Sequence, residues 1–366
     1  MQKFTRRTMI GALALLGAGR LSRAAPPAAG RFTVGGAQFL LEGKPFQIRA
    51  GEMHYPRVPC EQWRNRFRQM RALGLNTLST YAFWSQHEPR PGQWDFAGQN
   101  DLRTYLTLAA EEGLHTILRP GPYVCAEVDF GGLPGWLLQT PGLRVRSVDP
   151  RFLAATGHYL RRLADEIGDL QGSRGGPLLM LQFENEYGSF GRDLDYLDAL
   201  QELYREAGFD APLYTADGGE APLFDGGARP SLPAVVNFGG DVAEASAAFE
   251  ALAAFRPDGP RMAGEYWCGW FDHWGEAHHQ SAAAQDAATV EWMMSRGHSF
   301  NLYMVHGGTS FGWLPGANSS KDEPYQPDTT SYDYDAPVDE AGRVTPKFHA
   351  IRDAIARHLP RGEPLP

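Results

Sequence analysis

Eight short apolar segments that alternate with segments of helical spacing are the feature that most constrains how this chain folds. Within 60–73, for example, Trp63, Phe67 and Met70 recur at steps of three and four, as on one face of a helix. The predicted strands cover 46–53, 75–81, 115–119, 178–184, 212–216, 234–238, 261–266 and 300–305. The predicted helices cover 60–73, 100–112, 150–168, 193–207, 241–255, 281–297 and 346–358. Eight strands in this alternation favour a (β/α)8 TIM barrel over an open, doubly wound sheet.

Three segments depart from this rhythm. Two short apolar stretches within 31–47, with turn signals at Gly35-Gly36 and Glu42-Gly43, predict a small hairpin before the barrel. The fifth connection, 217–233, is predicted to be irregular. Residues 307–345 show no clear helix or strand, yet they are rich in glycine and aromatic residues. Because disordered segments seldom carry many aromatics, we expect an ordered active-site loop after the eighth strand. The sequence thus predicts one barrel domain over 31–366.

The first 24 residues have the pattern of a twin-arginine signal peptide. Arg6-Arg7 precede a short apolar run from Ile10 to Ala18, and Ser22-Arg23-Ala24 is a small-x-small cleavage site. Residues 25–30 form an Ala- and Pro-rich linker. The apolar run is shorter than the ~20 residues that span a bilayer, although an uncleaved membrane anchor is the alternative. The pattern predicts a bacterial protein that is periplasmic or secreted.

Charge and cysteine content narrow the possible partners. The formal net charge is −9, and without the five basic residues of the signal it becomes 29 basic against 43 acidic residues. A chain this acidic is not expected to bind nucleic acid or anionic lipid. No second apolar stretch predicts a transmembrane span after signal removal.

Three cysteines, Cys60, Cys125 and Cys268, predict free thiols, although a disulfide between Cys125 and Cys268 stays open. The oligomeric state is open as well.

Carboxylates and aromatic residues dominate the predicted carboxyl ends of the strands, where barrel enzymes place their active sites. This composition suits a neutral, polyhydroxylated ligand better than a phosphate. Glycoside hydrolysis needs two carboxyl groups across the scissile bond. Glu186 and Glu265, at the ends of the fourth and seventh strands, fit that requirement. Neighbouring aromatics are expected to desolvate both and to tune their pKa values.

The segment that carries Glu186 has a specific resemblance. Residues 175–187, with the sequence GGPLLMLQFENEY, resemble the signature of glycoside hydrolase family 35, the β-galactosidases. Further motifs of the same family are His54-Tyr55, His87-Glu88-Pro89, the segment 118–123, Gly131-Gly132-Leu133-Pro134, the segment 269–275 and the segment 330–337. The resemblance covers about residues 31–358.

This resemblance implies a retaining double displacement without metal or cofactor, acting on terminal β-galactosyl residues of a galactoside or glycan. Glu186 is then the general acid/base and Glu265 the nucleophile, and Asn185 holds the sugar 2-hydroxyl. The other positions that match ring-binding residues of the family are Tyr81, Ala126, Glu127, Tyr303 and Tyr334. An ion pair between Glu127 and Arg119 is the structural alternative for Glu127.

The chain also departs from the family pattern. Ser85, Val128 and Trp267 stand where Asn, Trp and Tyr are common. Trp267, two residues after the nucleophile, is predicted to contact the substrate. These changes leave both carboxyl groups in place but open the alternative of β-glucosaminidase activity. Members of the family commonly continue into β-sandwich domains, and the sequence up to Pro366 predicts none.

Two other functions are weighed against this one. A metal-dependent hydrolase would need clustered His and Asp residues at several strand ends, whereas His54, His87 and His306 occur singly. Adjacent His278 and His279 are expected to point apart and not to share a metal. A non-catalytic galactoside-binding protein is the second alternative, since the barrel supports many functions.

Overall fold

The structure, a computed structural model, describes residues 32–319, 324–360, 362–363 and 365–366. The predicted signal (1–24) and linker (25–30) lie outside the described residues. None of the helices in the described ranges is long and apolar enough to cross a membrane.

Eight parallel strands close into a barrel, which confirms the predicted TIM-barrel fold. They are β4 (Arg49–Glu52), β5 (Thr77–Tyr81), β6 (His115–Gly121), β7 (Leu178–Phe183), β8 (Leu213–Gly218), β9 (Ala234–Gly239), β10 (Met262–Trp267) and β11 (Ser299–Tyr303). Each pairs in parallel with its sequence neighbour, and β11 pairs with β4 to close the ring. All eight strands lie at the predicted positions because a fully buried strand is a run of apolar residues that stands out in the sequence.

The helices surround this barrel. They are α1 (Trp63–Leu73), α2 (Trp84–His87), α3 (Leu102–Glu111), α4 (Pro150–Ile167), α5 (Tyr187–Phe190), α6 (Leu194–Glu206), α7 (Ala221–Gly227), α8 (Val242–Phe255), α9 (Ala283–Ser295) and α10 (Pro346–Ala356). Local signals set their ends. Asp149 caps α4 by accepting a hydrogen bond from the Arg151 amide, and Gly74 ends α1 in a left-handed conformation with φ of 102°.

The prediction that the fifth connection, 217–233, is irregular is wrong, because the helix α7 lies within it. The helix is short and contains Gly226 and Gly227, so it has no recognisable apolar spacing. Gly227 lies against Asp217 of β8: a Cβ atom there would be 2.2 Å from the Asp217 carboxylate. Packing against β8 and α5 stabilises this helix. The spacing of residues in the sequence does not reveal such packing.

At the amino end of the barrel, the predicted hairpin is a three-stranded antiparallel sheet. It consists of β1 (Phe32–Gly35), β2 (Gln38–Leu41) and the two-residue β3 (Lys44–Pro45), with turns at the predicted glycine positions. Phe32 and Phe39 are buried and pack with residues of the barrel interior, including Ile117 and Met180. The sheet therefore covers one end of the barrel and leaves the carboxyl ends of the strands open.

The long segment after β11 is ordered through most of its length, as predicted. It contains the short pair β12 (Ala317–Asn318) and β13 (Gln326–Pro327), while residues 320–323 lie outside the described ranges. Tyr332 and Tyr334 from this segment are buried at the carboxyl end of the barrel. The segment thus forms one wall of the site described next.

Candidate active site

The residues predicted for the site lie together in one pocket at the carboxyl ends of the barrel strands. The pocket is lined by all nine predicted residues, Tyr81, Ala126, Glu127, Asn185, Glu186, Glu265, Trp267, Tyr303 and Tyr334, and by Cys125, Trp270 and Phe271. They come from five strand ends and from the loop after β11. The sequence could anticipate this convergence because strands of a closed barrel all end at the same rim.

Glu265, at the end of β10, is a buried carboxylate held by three donors. Its Oε1 accepts hydrogen bonds from the Tyr81 hydroxyl (3.0 Å) and from the Arg119 guanidinium, and its Oε2 accepts one from Trp267 Nε1 (2.9 Å). All three contacts suit an ionised carboxyl group and fix its orientation. Trp267 therefore contacts the predicted nucleophile directly.

Arg119 is a site residue that the sequence analysis did not assign. Its guanidinium is fully buried, and besides Glu265 it contacts Glu52 (3.2 Å) and the side-chain oxygens of Gln182 and Asn185 (2.9 Å each). The predicted alternative, an ion pair of Arg119 with Glu127, is wrong, because Arg119 faces Glu52 and Glu265. A charged residue within an otherwise apolar strand was the available signal, since a buried guanidinium needs a carboxylate partner.

Glu52 anchors this guanidinium from the first barrel strand. Asn301 Nδ2 donates a hydrogen bond to Glu52 Oε2 (2.7 Å), and His54 Nε2 lies 3.3 Å from Oε1. Burial alone would raise the pKa of Glu52, but Arg119 and His54 lower it to about 2. The positive charge of Arg119 is therefore balanced by two carboxylates, Glu52 and Glu265.

Glu186 has a different environment. It follows β7, is half-buried, and accepts one hydrogen bond through Oε1, from Asn237 Nδ2 (3.0 Å). Burial and the negative charge of Glu265 raise the pKa of Glu186 to about 7. Glu186 thus has the raised pKa that suits a proton donor, whereas Glu265 has the three donors that suit a carboxylate nucleophile.

Asn185 is oriented through its side-chain oxygen. Oδ1 accepts hydrogen bonds from Gln182 Nε2 (2.8 Å) and Arg119 (2.9 Å), and it lies 3.2 Å from the Tyr81 hydroxyl, whose single hydrogen it shares with Glu265. Donors from Gln182 and Arg119 on one atom settle which end of the amide is the oxygen. Nδ2 has no partner among the described residues, and is therefore the group available to a ligand in the pocket.

An ion pair supports the segment that carries Asn185 and Glu186. Arg146 donates to Glu184 Oε2 (2.7 Å) and to the Asn185 carbonyl (2.7 Å), and Tyr196 donates to Glu184 Oε1 (2.7 Å). The aromatic rings of Tyr123 and Phe190 lie 3.9 and 4.2 Å from the Arg146 guanidinium. These groups keep the backbone before Glu186 in one position.

Left-handed backbone conformations concentrate around the pocket. Cys125, Ala126 and Glu127 have φ values of 61°, 55° and 50°, and Glu184 and Glu186 have 58° and 45°. Such a conformation costs a non-glycine residue about 1–2 kcal/mol. Arg57 offsets part of this cost at the 125–127 turn, because it donates a hydrogen bond to the Ala126 carbonyl (2.5 Å). Strain of this kind is characteristic of functional sites.

Glu127 projects from this strained turn. Its Oε2 accepts a hydrogen bond from the Tyr332 hydroxyl, and the Arg57 guanidinium lies 3.5 Å from the centroid of the Tyr332 ring. Burial raises the pKa of Glu127 to about 7, although Tyr332 and Arg57 oppose the rise. Arg57 and Tyr332 are further residues that the sequence analysis did not assign to the site.

Aromatic rings form the remaining wall. Tyr303 and Tyr334 pack edge to face with centroids 5.4 Å apart, and Trp267 and Trp270 do so at 5.3 Å. Carbohydrate rings present apolar C–H faces to such aromatic surfaces. Together with the three carboxyl groups, the wall suits a single sugar ring in the pocket.

The predictions for the three cysteines and for His278 and His279 have different outcomes. Cys60, Cys125 and Cys268 are free thiols. His278 and His279 do not point apart as predicted: their Nδ1 atoms lie 2.6 and 2.8 Å from the two oxygens of Asp272. Among the described residues, no three His, Cys, Asp or Glu side chains are placed to hold a metal ion.

Sequence comparison identifies relatives over nearly the whole described barrel. The model of the family described as "Glycosyl hydrolases family 35" matches residues 38–358. The β-galactosidase of Xanthomonas manihotis is 51% identical over 89% of this chain and 54% of its own. The β-galactosidase of Felis catus is 44% identical, over 94% of this chain and 51% of its own. The chain therefore spans about half the length of the curated relatives it matches.

Solved structures show the same fold at low sequence identity. A GH5_18 protein of Streptomyces cattleya, in complex with GlcNAc, superposes with a TM-score of 0.61 at 16% identity, covering 87% of this chain and 82% of its own. A β-galactosidase of the psychrophilic Marinomonas ef1 gives 0.60 at 12% identity, covering 84% and 59%. At these identities the likeness concerns the fold alone.

Proposed function

The chain belongs to glycosyl hydrolase family 35, and we propose that it is a retaining exo-β-galactosidase that removes terminal, non-reducing β-D-galactosyl residues. The observation that carries this proposal is the contrast between two carboxyl groups in one pocket. Glu265 is held by three donors, whereas Glu186 has one donor and a pKa of about 7.

In the first step, Glu265 attacks the anomeric carbon while Glu186 gives its proton to the glycosidic oxygen. The bond to the leaving group breaks, the leaving group departs as an alcohol, and a galactosyl ester of Glu265 forms. Arg119, Tyr81 and Trp267 align the carboxylate for this attack.

In the second step, Glu186 accepts a proton from a water molecule that attacks the same carbon, and Glu265 leaves as a carboxylate. Burial and, after it, the charge of Glu265 raise the pKa of Glu186 in the free enzyme. This charge is absent from the ester, so the pKa of Glu186 falls in the intermediate. The same carboxyl group therefore acts as an acid first and as a base second.

Asn185 is the proposed partner of the sugar 2-hydroxyl, since its Nδ2 is free to donate. Glu127 accepts hydrogen bonds from other ring hydroxyls, and Tyr303 and Tyr334 contact the ring. Glu127 also favours the alternative β-glucosaminidase activity, because a carboxyl group in the pocket would attract an amino sugar. A β-glucosaminide therefore belongs among the substrates that are tested.

Turnover of aryl β-glycosides by the full chain tests the reaction. We expect hydrolysis of the β-galactoside, with kcat reduced about 10²–10⁴-fold in Glu186→Gln and at least as much in Glu265→Gln. Glu206→Gln, an exposed acid on α6, is the matched control and should keep wild-type activity. Preference for the β-glucosaminide would mean that the substrate is a β-glucosaminide and that the mechanism is unchanged. A folded wild-type chain that hydrolyses no glycoside would refute the proposal and favour a binding function.

Azide distinguishes the two roles. In Glu186→Ala, azide needs no general base and should attack the galactosyl ester to give the β-galactosyl azide. In Glu265→Ala it should take the place of the missing carboxylate and give the α-galactosyl azide. The anomeric configuration, read by NMR, would contradict the assignment if it were reversed between the two variants.

We also propose export through a twin-arginine signal in residues 1–24. The Arg6-Arg7 pair and the Ser22-Arg23-Ala24 site support it. Amino-terminal sequencing of the protein from a bacterial periplasm should give a chain that begins at Ala25. A chain that retains Arg6 and Arg7 in that fraction would contradict cleavage, and Arg6→Lys with Arg7→Lys should keep the precursor in the cytoplasm.

A further inference from the structure

The turn that carries Glu186 is bound to the end of the neighbouring strand β8. Glu186 has a left-handed backbone conformation, with φ and ψ both 45°, which is unfavourable for a residue other than glycine. Its amide donates a hydrogen bond to the Ala216 carbonyl (3.1 Å), and the Gly188 amide donates one to Asp217 Oδ1 (2.8 Å). Strained turns persist only where the surrounding structure holds them. The second contact is made by a side chain, and none of the roles proposed above explains it.

Asp217 is an unusual residue to find at this position. It is 1% exposed, and the hydrogen bond from Gly188 is the only one that it makes among the described residues. Arg146, the cation whose charge acts on it, is paired with Glu184 (2.7 Å). Burying a carboxyl group with a single hydrogen-bond partner costs free energy. Stability therefore does not explain Asp217, and a function of the turn that it holds can.

The carboxyl group of Asp217 is neutral in this environment. Burial raises its pKa well above the usual range, and the charges of Glu186 and Glu184 add to the rise, although the hydrogen bond from Gly188 opposes it. The bound proton avoids a further negative charge beside Glu186. Asp217 is thus a neutral hydrogen-bond acceptor, and asparagine is an acceptor of the same shape.

Helix α7 packs closely against this contact. A Cβ atom at Gly188 would lie 1.9 Å from the Leu223 carbonyl oxygen, and one at Gly227 would lie 2.2 Å from Asp217 Oδ1. Only glycine permits approaches of this kind. The turn, α7 and the end of β8 therefore meet backbone against backbone, and the Asp217 side chain is the part of this arrangement that a substitution can remove.

The position of the turn decides where the Glu186 carboxyl group lies. Glu186 accepts one hydrogen bond, from Asn237 Nδ2 (3.0 Å), and so depends on its backbone more than Glu265, which has three donors. A general acid must lie within hydrogen-bond distance of the atom that it protonates. A displacement of about 1 Å can cost about 10²-fold in rate. Loss of the contact at Gly188 should therefore slow the steps that need proton transfer by Glu186.

We propose that Asp217 is a positioning residue for the general acid/base: its Oδ1 holds the turn at the Gly188 amide and thereby places the Glu186 carboxyl group against the glycosidic oxygen. The inference rests on the proposed galactosidase function. Asp217 acts through the turn and not on the substrate, since it is not among the residues that line the pocket.

Two leaving groups of different basicity test this role. Dinitrophenolate departs without a proton, whereas the leaving group of methyl β-galactoside needs one from Glu186. In Asp217→Ala, kcat/KM for methyl β-galactoside should fall about tenfold more than kcat/KM for dinitrophenyl β-galactoside. Asp217→Asn keeps the acceptor and should restore the wild-type ratio. Asp225→Ala, which removes an exposed acid of α7, is the matched control and should leave both constants unchanged.

Amide hydrogen exchange measures the contact without a substrate. In Asp217→Ala the Gly188 amide should exchange about tenfold faster than in the wild-type chain, because it has lost its acceptor. In Asp217→Asn and in Asp225→Ala its exchange should match that of the wild-type chain. Unchanged exchange in Asp217→Ala would overturn the proposal.

The kinetic outcomes are equally decisive. An unchanged ratio of the two specificity constants in Asp217→Ala would overturn the positioning role, since general damage to the pocket lowers both constants alike. The same change of the ratio in Asp217→Asn would overturn it as well. Asp217→Ser, whose side chain is too short to reach Gly188, serves if Asp217→Ala does not fold. If neither folds, Asp217 holds the whole fold and the assignment fails.

Failure of the proposed function would be recognised separately. A folded wild-type chain that hydrolyses neither galactoside would refute the galactosidase function, and hydrogen exchange at Gly188 would then judge the contact alone. Faster exchange in Asp217→Ala than in Asp217→Asn would support the hold of Asp217 on the turn, and equal exchange would overturn it.

Discussion

At the scale of single residues, the site depends on how differently two glutamates are surrounded. Both are strand-end carboxyl groups with aromatic neighbours, and their local sequences alone do not separate them. Glu265 accepts hydrogen bonds from Arg119, Tyr81 and Trp267. Glu186 accepts one hydrogen bond, from Asn237, and burial and the negative charge of Glu265 raise its pKa. Apart from Trp267, which is two residues from Glu265, the partners that make the two carboxyl groups different lie far away in the sequence.

The pKa of Glu186 predicts the alkaline limb of the pH profile. The first step needs protonated Glu186. Titration of Glu186 should therefore leave kcat/KM constant below pH 7 and lower it as the pH rises through about 7. The hydrogen bond from Asn237 stabilises the ionised form and lowers the pKa. Asn237→Ala should therefore move the limb to higher pH. A limb that stays in place, measured with an aryl β-galactoside, would show that another group controls it.

At the scale of elements, the loop after β11 and the last helix, α10, complete the site together. Lys347 on α10 is buried, and its Nζ donates to the Cys268 carbonyl (2.5 Å) and to Asp335 Oδ2 (2.8 Å), and lies 3.1 Å from Asp286 Oδ2. Cys268 follows Trp267, and Asp335 follows Tyr334. One ammonium group thus connects two walls of the pocket to α9 and α10.

Removing this ammonium group should destabilise the fold strongly. Lys347→Met leaves Asp286 and Asp335 without their cation, and breaking a buried ion pair in this way costs about 3–5 kcal/mol. Urea unfolding measures the loss of free energy. Lys44→Met, at an exposed position of β3, is the control and should change it by less than about 0.5 kcal/mol. A similar small change in Lys347→Met would mean that solvent or rearrangement satisfies the two carboxylates.

Sequence patterns anticipated the elements unevenly, for physical reasons. The barrel strands and the long helices carry an apolar period that does not depend on context. The helix α7 and the pair β12–β13 carry no such period, since they are short and lie against other segments. The contact of His278 and His279 with one carboxylate was missed because a loop has no fixed alternation of side-chain directions.

At the scale of the whole molecule, the two ends of the barrel have separate tasks. The sheet β1–β3 covers the amino end, where Phe32 and Phe39 stack with centroids 5.7 Å apart over the barrel interior. The candidate active site occupies the carboxyl end. Stability at one end can therefore be changed without altering the groups that would contact the substrate.

Phe39→Ala tests this separation. Phe39 is 3% exposed, and truncating a buried phenylalanine costs about 3–5 kcal/mol. We expect a lower Tm with kcat on an aryl β-galactoside within about twofold of wild type at 25 °C, because the pocket lies at the other end of the barrel. Leu138→Ala, at a 69% exposed position, is the control and should change neither quantity. A large loss of kcat in folded Phe39→Ala would show that the two ends are coupled.

The sequence by itself determined the barrel, the order of its strands and nine of the residues that line the candidate active site. It could do so because strand periodicity and strand-end position are local properties, and because the motif around Glu186 resembles a known family. Only the tertiary structure placed Arg119 between Glu52 and Glu265 and joined Glu127 to Tyr332. These are contacts between side chains from distant segments. Burial and charge at such contacts depend on the closed barrel, which brings together groups that no sequence period relates.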